Sequence, residues 1–125
     1  LKRFLYAESL RTEHGNRLTR NTEAYFVDKK AMKEASIPRL INRGAYTNLP
    51  PIFFAEAEHD RNVPSVIVDD LCDAYANGNG LISRRLYGGT QHGFGQQDGT
   101  QAREFLRDLA TWISQTSNSA SHLAD

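Results

Sequence analysis

Two short stretches of the chain carry residue types that can move a proton. Glu58, His59 and Asp60 come just after the apolar run Ile52-Phe53-Phe54-Ala55, with Glu56 and Ala57 between. Thr90, Gln91 and His92 follow a second run, Leu81 to Tyr87. A carboxylate set against an imidazole holds the ring in one tautomer and stabilises its charged form. The other ring nitrogen can then take a proton from a nucleophile. Asp60 and His92 are the pair that could do this, provided the fold closes the 32 positions between them.

The elements around them predict that it does. Pro50-Pro51 forbids helix and sets an extended approach. Ile52 to Ala57 reads as a strand apolar on both faces, as in the middle of a parallel sheet. Pro64 suits the first turn of a helix, whose apolar face is Ile67, Leu71, Ala74, Tyr75 and Gly78. Cys72 falls off that stripe, and no activating partner marks it as a reactive thiol. Asn77 to Gly80 is a turn. Leu81 to Tyr87 is a second strand, whose Arg84 and Arg85 suggest a sheet edge. A glycine-rich loop from Gly88 to Gly99 leads to a last helix over about Gln101 to Gln115. That helix has Thr100 as its cap and an apolar stripe of Phe105, Leu106, Leu109, Trp112 and Ile113. In such open α/β sheets functional groups gather beyond the carboxyl ends of the strands, where both stretches lie.

Residues 1–45 are polar and helix-leaning. Asp28 is a natural cap for a helix from Lys29 to Ala35, and Pro38 opens a further turn over Arg39 to Asn42 that Gly44 ends. The expected organisation is a helical, lid-like segment over 1–49, a β-α-β-α unit over 50–115 and a flexible tail over 116–125. Tyr25 and Phe26 could belong to a lid, with plain packing as the simpler reading. His14 and His122 read as solvent residues.

Composition narrows the function classes. The 125 residues include 15 basic and 15 acidic side chains, so the net charge is zero. That argues against nucleic acid or an anionic membrane surface as partner, since both call for a positive field. No apolar run approaches the ~18 residues of a membrane span, and no signal peptide is legible in the first twenty residues. The expectation is a soluble chain, cytoplasmic sooner than secreted. The single cysteine excludes an internal disulfide and a multi-cysteine zinc site. His59 with Asp69, Asp70 or His92 fits no standard zinc spacing, and no metal or other cofactor is implied.

The two stretches also carry a resemblance. "AEHDRNVP", residues 57–64, resembles the segment after the seventh strand of α/β-hydrolases, a Gly-x-x-Asp-x-x-Val-Pro pattern. "LYGGTQHGF", residues 86–94, resembles the loop after their last strand, which ends in His-Gly-Phe in many esterases. "NTEAYFVDKKAMKEASIPRLINRGAYTNLPP", residues 21–51, is similar to what precedes this strand in the acetyl-esterase and hormone-sensitive-lipase-like branch. The resemblance implies the C-terminal part of an α/β-hydrolase fold, with Asp60 as triad acid, His92 as triad base and a small carboxylic ester as substrate. Phe94 would line an acyl pocket or belong to the core.

Two departures stand out. Ala57 replaces the usual glycine. More seriously, the Gly-x-Ser-x-Gly elbow that carries the nucleophile ahead of the acid and the base is missing. Ser9 and Ser36 precede Asp60 but sit in "AESLR" and "EASIP", without the small neighbours a sharp elbow needs. The expected partner is therefore an upstream hydrolase segment that supplies the serine, or a second copy of the chain. The alternative is a non-catalytic α/β domain that acts in binding or assembly.

Overall fold

The computed structural model describes residues 2–121. They form a mixed α/β arrangement of six α-helices and two parallel strands. The helices are α1 (Lys2–Ser9), α2 (Glu13–Tyr25), α3 (Lys29–Glu34), α4 (Ile37–Asn42), α5 (Ser65–Asn77) and α6 (Thr100–Ser121). The strands are β1 (Ile52–Ala57) and β2 (Ile82–Tyr87). The chain divides into two compact units. One holds residues 1–49 and 62–80, the other residues 50–61 and 81–125. α5 groups with the N-terminal helices.

In the helical unit, local signals set the helix starts. The Asp28 carboxylate accepts the Ala31 N–H at 2.7 Å and caps α3, a contact of about 1 kcal/mol. Thr12 caps α2 by accepting the Gly15 N–H at 3.1 Å, a signal the sequence reading passed over. Gly15 also lies close against α1. A Cβ there would lie 2.5 Å from the Ala7 carbonyl oxygen, so a side chain would force the helices apart. Pro38 lies in the first turn of α4, which starts at Ile37. α4 packs on α5. The buried face of α5 is centred on Val68, Ala74 and Tyr75. Ala74 and Tyr75 belong to the expected stripe and Val68 does not, and Cys72, one turn beyond Val68, is half-buried.

His14 corrects another expectation. It is half-buried, and its Nε2 is a buried atom with no hydrogen-bond partner among the described residues. Tyr25 is 83% exposed, so it does not pack into a core; its ring meets Phe26 edge-on at 4.9 Å. His122 lies outside the described residues.

In the strand unit, β1 and β2 pair in parallel with Ile52 opposite Ile82 and Ala57 opposite Tyr87. The Ile52 N–H donates to the Leu81 carbonyl, and the Glu58 N–H to that of Tyr87. The pleat repeats every two residues. Residues 54 and 56 therefore also face β2, while the N–H and C=O groups of Phe53, Ala55 and Ala57 face the opposite edge. Among the described residues no strand pairs with that edge.

One sheet face packs on α6 through aromatic rings. Phe53 lies 6.3 Å from Phe105 and 5.9 Å from Trp112, and the Trp112 indole N–H donates to Ser83 Oγ. Tyr87, Phe94 and Phe105 extend this cluster. The other face holds a buried carboxylate, Glu56, gripped by two nitrogens of the Arg84 guanidinium. Arg85 reaches Glu104 at 2.7 Å and Asp108 at 2.9 Å on α6. Both strand arginines are thus paired.

α6 begins at Thr100 and accepts its first turn at the Gly99 carbonyl, so Thr100 is inside the helix rather than its cap. Leu106 and Ile113 are about half exposed and fall off the packed stripe. The helix runs through Ser121, and residues 116–121 contain no proline or glycine to stop it; the rest of the expected tail lies outside the described residues.

Candidate active site

The site forms where β1 and β2 both end. Three ties hold the loops that follow them together. The Glu58 N–H donates to the Tyr87 carbonyl at 3.3 Å, and the His59 N–H to the Thr90 carbonyl at 2.9 Å. The Glu58 carboxylate accepts the Gly89 N–H at 2.7 Å. Thr90, itself buried, anchors its loop by donating from Oγ1 to the Tyr87 carbonyl at 2.6 Å. Sequence reasoning placed Glu58 and Thr90 at this edge but gave them no task. The available signal was an acid facing two consecutive glycines, whose amides are open to an acceptor.

These ties bring His92 Nδ1 to 2.9 Å from Asp60 Oδ2. The two side chains are within hydrogen-bond reach, as the shared carboxyl edge predicts. With Nδ1–H donating to the carboxylate, Nε2 keeps its lone pair and can accept a proton. Asp60 is 12% exposed at the side chain and His92 51%, so the acid is sheltered and the imidazole is open to a reactant. Gly93 follows at φ +79°, a left-handed conformation that glycine adopts without strain, and turns the chain into the 3-10 turn Phe94–Gln96. The next helix, α5, starts at Ser65 with Pro64 at the cap position.

The remaining candidates separate from the pair. His59 lies 3.6 Å from Glu58. Among the described residues no group of three His, Cys, Asp or Glu side chains could hold a metal ion. Phe94 is buried with Tyr87 and Phe105, the core alternative. The Tyr87 hydroxyl donates to Asp108 at 2.7 Å. Burial first, then this hydrogen bond, pushes the phenol well above its usual range, so it is a structural donor and not a proton shuttle. A cavity of about 370 Å³ beside the loop is lined by Gly89, Thr90, Gln91, Phe94, Gln97 and Asp98 among others, but not by His92.

Among the described residues no hydroxyl hydrogen-bonds to His92. Ser9 Oγ donates to the Tyr6 carbonyl within α1, and Ser36 precedes α4. What the chain assembles is an oriented acid–base couple on an α/β scaffold.

Comparison with protein-family models, with curated proteins and with solved structures returned no match. No helix of the described residues is long and apolar enough to cross a membrane.

Proposed function

We propose that this chain is the acid–base portion of a carboxylic-ester hydrolase of the α/β-hydrolase type, in the acetyl-esterase and hormone-sensitive-lipase-like branch. The observation that carries the reading is the Asp60–His92 contact beyond the carboxyl ends of two parallel strands. In this reading Asp60 fixes the His92 tautomer. His92 Nε2 takes the proton from a serine hydroxyl as that oxygen attacks the ester carbonyl, and later returns it to the departing alcohol. A water molecule then repeats the sequence and releases the acid.

In this reading the serine and the oxyanion donors come from an upstream hydrolase segment, and a second copy of the chain could only complete the sheet. The open edge of β1 is where such a segment could add a strand. The alternative, a non-catalytic α/β domain acting in binding or assembly, draws on the lack, among the described residues, of a hydroxyl bonded to His92.

The test is hydrolysis of nitrophenyl acetate. The 125-residue chain by itself is expected to show none above background, since an acid and a base without a positioned nucleophile lack the covalent route. The complete polypeptide encoded by the gene is expected to carry a Gly-x-Ser-x-Gly segment and to turn the ester over. Inactivity of that complete polypeptide supports the binding domain. Turnover by the short chain that Ser9→Ala or Ser36→Ala abolishes would reveal a different nucleophile.

A further inference from the structure

A second cleft lies in the helical unit, apart from the acid–base pair. Its volume is about 510 Å³, and it brings together Lys2, Lys33, Arg39, Arg43, Asp70 and Asp73. Lys2 is already paired with Asp70. Lys33, Arg39 and Arg43 have no ion-pair partner among the described residues. Four cations face two carboxylates, an excess of two positive charges, in a chain whose total charge is zero. The excess is therefore a property of this place and not of the whole surface. Like charges held together repel, and a bound anion removes that repulsion.

We propose that this cleft binds the dianionic phosphate group of a small soluble molecule. Two negative charges match the local excess. Each guanidinium offers a planar fork of N–H donors that fits two phosphate oxygens at once, and Lys33 adds a point charge. The volume falls in the range of small-molecule sites, ~300–1,000 Å³. A neutral chain lacks the broad field that a nucleic acid or an anionic membrane requires, which leaves a compact ligand. The inference owes nothing to the ester-hydrolase reading, and either can fail without the other.

The experiment titrates the full chain with phenyl phosphate at pH 7.5, where the phosphate is mostly dianionic. Backbone amide resonances report binding, and benzoate serves as the singly charged comparison. Saturable shifts confined to residues 33–43 and the facing part of α5 are expected, with weaker binding of benzoate. Arg39→Gln and Arg43→Gln, each at an exposed position, should weaken binding about tenfold apiece, the loss of one charge-assisted contact. Lys30→Ala, outside the cleft, should leave it unchanged. The spectra of the variants away from the cleft check that the fold is kept. Non-saturating shifts scattered over all basic residues, or affinity unaltered in both arginine variants, overturns the proposal. So does binding to phosphatidylserine vesicles without binding to phenyl phosphate, which would assign the cations to a membrane surface.

Discussion

His92 Nδ1 and Asp60 Oδ2 meet at 2.9 Å although 32 positions separate them. Backbone ties between Glu58 and Tyr87 and between His59 and Thr90 hold both loops in place independently of this contact. The pair is therefore positioned by the sheet edge and does not itself hold the edge together. His92 is half exposed but Asp60 is sheltered, so Asp60→Asn or His92→Ala should change unfolding free energy by about 1–2 kcal/mol, above a surface ion pair and below a buried one. Urea unfolding of the two variants checks this. A loss of several kcal/mol in either would make the pair a structural clamp.

The strand arginines should behave differently from each other. Arg84 grips Glu56, whose carboxylate is 4% exposed, whereas Arg85 meets the partly exposed Glu104 and Asp108. Arg84→Met leaves a buried charge without its two-pronged partner and should cost about 3 kcal/mol. Arg85→Met should cost about 1 kcal/mol or less. Equal losses in denaturant melts would contradict the assignment of Glu56 as a buried charge dependent on Arg84.

Tyr87 predicts an alkaline limb. Its phenol is raised above the ordinary value near 10, first by burial and then by its bond to Asp108. The folded state thus holds the proton more tightly than the unfolded chain. The resulting stability is fully present below about pH 10 and is lost as pH rises above it. Tyr87→Phe should cost about 1 kcal/mol at neutral pH through the lost hydrogen bond, and should lose less of its stability above pH 10 than the parent does. Parallel pH-stability curves for parent and variant would show that the phenol is not the titrating group.

The open edge of β1 can be read by hydrogen exchange. Amides of Phe54 and Glu56 point to β2, while those of Phe53, Ala55 and Ala57 point away. In the 125-residue chain the second set should exchange faster. Protection of all five amides would mean that something covers the edge, and a shift in mass by light scattering would identify a second copy as that cover.

Much of this arrangement was legible in residue types. The Pro50-Pro51 break, the apolar run from Ile52 and the turn at Asn77 to Gly80 set β1 and β2 correctly, because each is a strong local signal. The contact of Asp60 with His92 followed from topology, since parallel neighbours end on the same side. The misses have a common physical cause. Spacing alone puts neither Val68 on the buried face of α5 nor His14 half inside, because a helix's buried side depends on which neighbour it meets. The close approach at Gly15 was invisible for the same reason. Arg84 and Arg85 looked exposed because register decides that one lies diagonally from Glu56 and the other faces α6.

The central claim, that His92 is the base of a serine hydrolase, is tested most directly by covalent labelling. A fluorophosphonate reacts with a serine that a neighbouring base activates, and so reports the step assigned to His92 Nε2. The complete encoded polypeptide would be treated with such a probe beside its His92→Ala and Asp60→Asn forms, and the labelled peptide identified by mass. The account predicts one labelled serine, upstream of these residues, with labelling slowed by at least about a thousandfold in His92→Ala. Labelling at the same rate in His92→Ala, or no labelled serine in the parent, would contradict it.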